Sequence, residues 1–155
     1  MTSSTAEKVR GILIMNSSGV VLFEHWGSSV EVQPPLLAAF VAALSQIGGE
    51  NLGRIDEIRV RGEQLDMIVV TRHELALIAL LDPDLPNVGV REEAQAALDH
   101  FHAQYHDVLA SWDGRQDTFE EFREQIRSQI DDYVEKVKRS KEGLFHRLFF
   151  RKSKD

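Results

Sequence analysis

The sequence contains no cysteine. That removes disulfides, thiolate metal sites and thiol nucleophiles together, and it fits a reducing, cytoplasmic setting. Proline is nearly as scarce, with four in 155 residues. They fall in two pairs, Pro34 with Pro35 and Pro83 with Pro86, so long unbroken elements are permitted elsewhere. No apolar run approaches the roughly 18 residues that a membrane-crossing helix needs. The opening stretch MTSSTAEKVR does not set a basic segment before an apolar one, so no secretory leader is expected. Catalytic signatures are missing too: there is no GxSxG elbow, no Gly-Lys-Ser/Thr phosphate loop, no HExxH and no GxGxxG. The run GGENLG from Gly48 to Gly53 has the glycines of a phosphate cradle but neither its Lys nor its Ser/Thr, and it follows a helical pattern where a cradle follows a strand.

The most informative absence is local. From Pro34 to Ile47 the chain reads PPLLAAFVAALSQI, without one charged side chain. The proline pair suits a first helical turn, and Gly48-Gly49 is predicted to close the helix. Leu37, Phe40, Val41, Leu44 and Ile47 recur at helical spacing as one apolar stripe, while Leu36, Ala38, Ala39, Ala42 and Ala43 make the other face small but still apolar. A helix apolar all round is ordinarily covered all round.

Charge is present but unevenly placed. The net charge is −7. From Lys136 to Asp155 there are eight basic residues and two acidic ones, so that end carries +6 against −13 for the remainder. An acidic body repels phosphate, and nucleic acid is not an expected partner.

Taken in order, residues 1–7 read as a flexible N-terminus. Val9 to Met15 and Val20 to His25 predict a hairpin about the turn Asn16-Ser17-Ser18-Gly19. The uncharged helix comes next. Ile55 to Arg61 then alternates, with Ile58 and Val60 inward and Glu57, Arg59 and Arg61 on the other side, as suits an edge strand. Leu65 to Thr71 and Leu75 to Leu81 are apolar at both parities, as in strands covered on both faces. Two helices follow, one over about Val88 to Trp112 with Ala94, Leu98, Phe101, Tyr105, Val108 and Trp112 inward. The other follows an N-cap at Asp117 with Glu120 in a capping box, and carries Phe119, Phe122, Ile126, Ile130, Val134 and Val137 on one face. The predicted fold is an α+β, three-layer sandwich in the order β-β-α-β-β-β-α-α. Its five-stranded antiparallel sheet has one helix on one face and two on the other. The domain is expected over residues 8–138, with a basic and aromatic tail over 139–155.

This order, with its N-terminal hairpin broken at Asn16-Ser17-Ser18-Gly19, resembles the longin domain family over roughly residues 8–135. The resemblance implies a profilin-like, non-catalytic interaction module of the kind found in vesicle SNAREs, transport adaptors, tethering complexes and small-GTPase exchange complexes. The related roadblock fold serves similar GTPase platforms but begins with a helix, whereas a strand comes first here. The long heptad helix and membrane anchor of a SNARE do not follow, which leaves adaptor or GTPase-platform roles. Family partners engage the first helix and the adjacent edge strand. In this chain those positions are Leu36, Ala39, Phe40, Ala43, Ile47, Glu57, Arg59 and Arg61. The expected partner is a second copy, a related longin or roadblock domain, or a small GTPase. No cofactor and no metal are expected.

Two further groups of residues have the composition of a binding site. His102 and His106, four apart beside Asp99 and His100, have the spacing of a two-imidazole metal pair but no placed third ligand. In the tail, Lys138, Arg139, Lys141, Arg147, Arg151 and Lys152 interleave with Phe145, Phe149 and Phe150. That composition suits an anionic membrane surface or an acidic partner. A terminal helix folded on the acidic body, or a solubilising end, are the plainer readings. The rival function is a small-molecule sensor of PAS or GAF type. It would need polar groups aimed into a pocket, and the central strands offer only Asp66 and Thr71.

Overall fold

The computed structural model describes residues 8–27 and 32–150, without the side chains of Gln116 and of residues 141–150. Five strands and three long helices form the expected sandwich: β1 (Val9–Asn16), β2 (Val21–Trp26), α1 (Pro34–Leu52), β3 (Glu57–Arg61), β4 (Asp66–Arg72), β5 (Leu75–Leu81), α2 (Val90–Ala110) and α3 (Phe122–Phe150). The strands lie in the order β2-β1-β5-β4-β3, every pair antiparallel. β1 therefore sits beside β5, far away in sequence, and joins the N-terminal hairpin to the β3–β5 meander as one sheet. The turn between β1 and β2 forms because the Asn16 side-chain oxygen accepts the backbone N–H groups of Ser18 and Val20, both at 3.0 Å, while Gly19 takes a φ of 85°.

The double-sided apolar strands are explained by two cores. On one face Ile12, Ile14, Phe23, Ile68, Leu77 and Ala79 meet Leu98, Phe101, Phe119, Phe122 and Ile126. Phe101 is central there, with Phe122 edge-on at 5.1 Å and Phe119 at 5.2 Å. On the other face Leu13, Met15, Met67, Val69, Ile78 and Leu80 meet Ala38 and Val41 of α1. All seven residues of β5 are buried as a result. Tyr133 pins the loop ahead of α2 by sharing its hydroxyl proton between the Pro86 and Val88 carbonyls, at 2.8 and 3.2 Å. Burial, with the nearby Glu93 carboxylate, pushes that hydroxyl's pKa up to about 12.

Several boundaries differ from the sequence expectation. α1 does not stop at Gly48-Gly49 but runs through both to Leu52, and the residue that turns the chain is Gly53, at φ 84° and ψ −167°. A helix interior tolerates glycine at a cost of about 1 kcal/mol, whereas only glycine reaches the backbone angles found at 53. Gly48 also lets Ile55 return against the helix, since a Cβ there would collide with the Ile55 side chain. Asp117 does not cap α3. It lies in a 3₁₀ turn, Gln116–Phe119, and Glu120 pairs with Arg123 at 2.6 Å instead of closing a capping box. α2 ends at Ala110, before Trp112. The Trp112 indole N–H donates to the Arg115 carbonyl at 2.9 Å, and Val108 is exposed. β3 begins at Glu57 because Ile55 and Asp56 serve as the tie to β4: Thr71 donates its hydroxyl to the Ile55 carbonyl at 2.6 Å and its N–H to that of Asp56 at 3.0 Å. α3, finally, continues past residue 138 as one helix to Phe150.

Candidate interaction surface

α1 presents to the sheet a face drawn from both sides of the sequence pattern, Leu37 and Val41 of the predicted stripe with Ala38 and Ala42 of the smaller side. Ala38 and Val41 are fully buried, with Leu37 and Ala42 packed beside them. Small side chains let the helix approach the β1–β2 turn closely: a Cβ added at Gly19 would stand 3.1 Å from the Ala42 side chain and 3.5 Å from the Ala38 carbonyl. Phe40 and Ile47, expected in the buried stripe, point outward and are 52% and 61% exposed, and Leu36 is 65% exposed. With Ala39 and Ala43, which are also exposed, they form a stripe at positions 36, 39, 40, 43 and 47, one line along the outside of the helix.

β3 is the sheet edge on one side, hydrogen-bonded among the described residues to β4 alone. The second core reaches Ile58 but not Val60, which stays 42% exposed. One helix does not fully cover five strands, and β3 is the strand covered only in part. On the opposite face of β3 Arg59 bonds Glu57 at 3.2 Å, and Arg61 is exposed. The positions singled out from the sequence on α1 and β3 are thus on the surface, apart from a half-buried Glu57.

Other groupings serve the fold. His73 and Glu74 form a two-residue turn between β4 and β5 with φ of 58° and 61°, a conformation that side chains other than glycine adopt at some strain. The turn lays the His73 ring flat on that of His102, at 4.2 Å and 6°, and sets its Nε2 2.7 Å from Asp99, which Arg72 also reaches at 2.8 Å. These contacts, His73 foremost, hold the Asp99 carboxyl below the usual range. His106 turns its Nδ1 to the His102 carbonyl at 3.2 Å. Among the described residues no three His, Asp or Glu side chains are grouped so as to hold a metal ion. At the other sheet edge Arg123 lies over the Phe23 ring, 5.3 Å from its centre, and bonds Glu120 and the Glu24 carbonyl. A groove of about 250 Å³ runs between these residues and β2. Burial, then Arg123 and Arg127, lowers the pKa of the adjoining His25. Sequence periodicity carries no mark of the His73 stack or the Arg123 hub, since both join residues brought together only by the fold. Lys138 and Arg139 are exposed on α3. Lys141, Phe145, Arg147, Phe149 and Phe150 belong to the same helix by backbone, their side chains outside the described set, and Arg151 and Lys152 lie outside the described residues.

Neither a family model nor a curated protein sequence matches the chain. Solved structures do. A Roadblock/LC7 domain from Streptomyces avermitilis superposes with a TM-score of 0.52 at 15% identity, over 61% of this chain and 82% of that one. Myxococcus xanthus MglB does so with a TM-score of 0.52 at 12% identity, over 66% and 87%. An MglB structure described as having a tetrameric arrangement matches with a TM-score of 0.50 at 19% identity, over 57% and 70%. The likeness is one of architecture, a longin-like sandwich.

Proposed function

We propose that this chain is a non-catalytic pairing module whose α1 stripe and β3 edge receive a second copy or a related longin or roadblock-type domain, the pair acting as a platform for a small GTPase. The observation that carries the reading is the uncharged stripe Leu36, Ala39, Phe40, Ala43 and Ile47, left exposed on α1 over a sheet whose β3 edge is unpaired among the described residues. Contiguous apolar surface of this kind marks interfaces. Fully covering a Leu, Phe or Ile side chain stabilises by about 1.5–3 kcal/mol. An edge strand adds a row of backbone donors and acceptors that a partner strand can complete. Self-pairing is supported by the MglB chain of the same architecture described in a tetrameric arrangement. The GTPase element rests on what the longin and roadblock resemblance implies.

Light scattering of the wild type against Ala39→Glu and Phe40→Glu tests it. The wild type is expected at dimer mass or above. Each carboxylate is expected to weaken pairing by roughly 30-fold or more, the scale of an interface hot spot, and to reduce capture of a small GTPase. Monomers throughout, with GTPase capture undiminished in the variants, would overturn the reading. The sensor alternative is not favoured: the apolar cavity between the sheet, α2 and α3 holds only about 60 Å³, against the roughly 300 Å³ and more of ligand pockets.

A further inference from the structure

We infer that the far end of α3, from Lys138 to Phe150, is a docking element for the anionic surface of a lipid bilayer, separate from the pairing surface. The placement of α3 is the first observation. It runs antiparallel to α2, with Phe122 against Phe101 at 5.1 Å and the Gln129 amide donating to the Glu93 carbonyl at 2.7 Å. By Tyr133 it is level with Pro86 and Val88, ahead of the first residue of α2. Val137 is the last described side chain of α3 packed on the core, and Lys138, Arg139 and Ser140 are exposed. The helix nevertheless continues to Phe150, about 13 residues or roughly 20 Å at 1.5 Å per residue. α2 has no length left to lie beside it.

The second observation is what the sequence puts on that extension. At 100° per residue, Leu144, Phe145, Leu148 and Phe149 fall within an arc of about 140°. Lys138, Arg139 and Lys141 precede the arc, and Arg147 falls within the same stretch. Aromatic and leucine side chains at headgroup depth, with long basic stems reaching to the phosphates on either side, are the composition of an interfacial helix. An acidic protein surface would answer the charges but leave the apolar arc without a role. Charge also sets the orientation. The rest of the chain is strongly acidic, so an anionic bilayer attracts this end and repels the body, and the molecule docks by this end. Gly143 in the helix interior weakens the extension in water, and a surface that covers its apolar arc supplies what α2 does not.

The test is co-sedimentation of the full chain with phosphatidylcholine vesicles made with and without phosphatidylserine. Two variants accompany it, Lys138→Glu/Arg139→Glu/Lys141→Glu and Phe145→Ser/Phe149→Ser, with far-UV circular dichroism and light scattering to show that fold and pairing are intact. Binding is expected only when phosphatidylserine is present. It should fall by about tenfold or more in each variant and again as salt is raised. No binding, equal binding to both vesicle types, or binding indifferent to the Phe145→Ser/Phe149→Ser change overturns the assignment. So does capture of a poly-glutamate peptide with no vesicle binding, which would give the helix to an acidic protein. Loss of pairing in Phe40→Glu with vesicle binding retained would separate this element from the pairing surface.

Discussion

At the scale of single residues, the side chains that lock the sandwich are polar groups at its seams. Tyr133, Arg123 and Thr71 each reach a backbone carbonyl that no strand or helix satisfies, which is why they are held so firmly. His25 sits beside Arg123, with Nδ1 3.5 Å from the guanidinium. Its folded-state pKa lies below the ordinary 6.5, first through burial and then through Arg123 and Arg127. The sign of the linkage follows: just below pH 6.5 the unfolded chain binds the proton more readily than the folded one, so stability falls as pH drops through that value. His25→Gln is expected to flatten the fall in urea midpoint between neutral and mildly acid pH. The window lies above that of Asp82, Asp99 and Glu120, whose depressed pKa values withdraw stability only at more acid pH. A wild-type and a variant curve that stay parallel would remove His25 from the account.

At the scale of elements, α1 shows how far periodicity can be trusted. Its start at Pro34 and its freedom from charge are legible in the sequence, because both are local. Its end and its buried face are not. The run Gly48-Gly49 carries the residue type of a stop, but stopping requires a left-handed backbone, and the connection to β3 assigns that to Gly53. The two positions should therefore answer substitution in opposite senses. Gly49 is exposed, helical and without neighbours within 4 Å of an added Cβ, so Gly49→Ala is expected to raise stability by about 0.5–1 kcal/mol. Gly53→Ala is expected to lower it by about 1–3 kcal/mol through backbone strain alone. Chemical denaturation measures both, and a destabilising Gly49→Ala would restore the glycine pair as the cap. The buried face misleads for a related reason. Phe40 and Ile47 are larger yet point outward, while Ala38 and Val41, with Leu37 and Ala42 beside them, pack on the sheet, so shape overrules hydrophobicity.

At the scale of the whole molecule, three layers account for the double-sided strands, and unequal layers account for the open surface. Two helices cover one face of the sheet, while among the described residues α1 is the helix on the other, and β3 is covered there only as far as Ile58. If α1 and β3 are covered by a second copy, folding and pairing are linked, and the thermal midpoint rises with protein concentration. Roughly 100-fold in concentration is worth up to about 2.7 kcal/mol. Phe40→Glu is expected to abolish that dependence. A midpoint independent of concentration in the wild type would argue against self-pairing and leave a different partner for the stripe.

The sequence by itself determined the order of elements, the antiparallel sheet and its two apolar faces. It also settled the charge asymmetry between the acidic body and the basic end. These follow from spacing, turn chemistry and counting, which act over a few residues. Tertiary structure decided which residues of α1 are buried, where that helix stops, that β1 lies beside β5, and that α3 runs on beyond the end of α2. Each depends on how closely two distant surfaces can approach, and no local pattern encodes that distance.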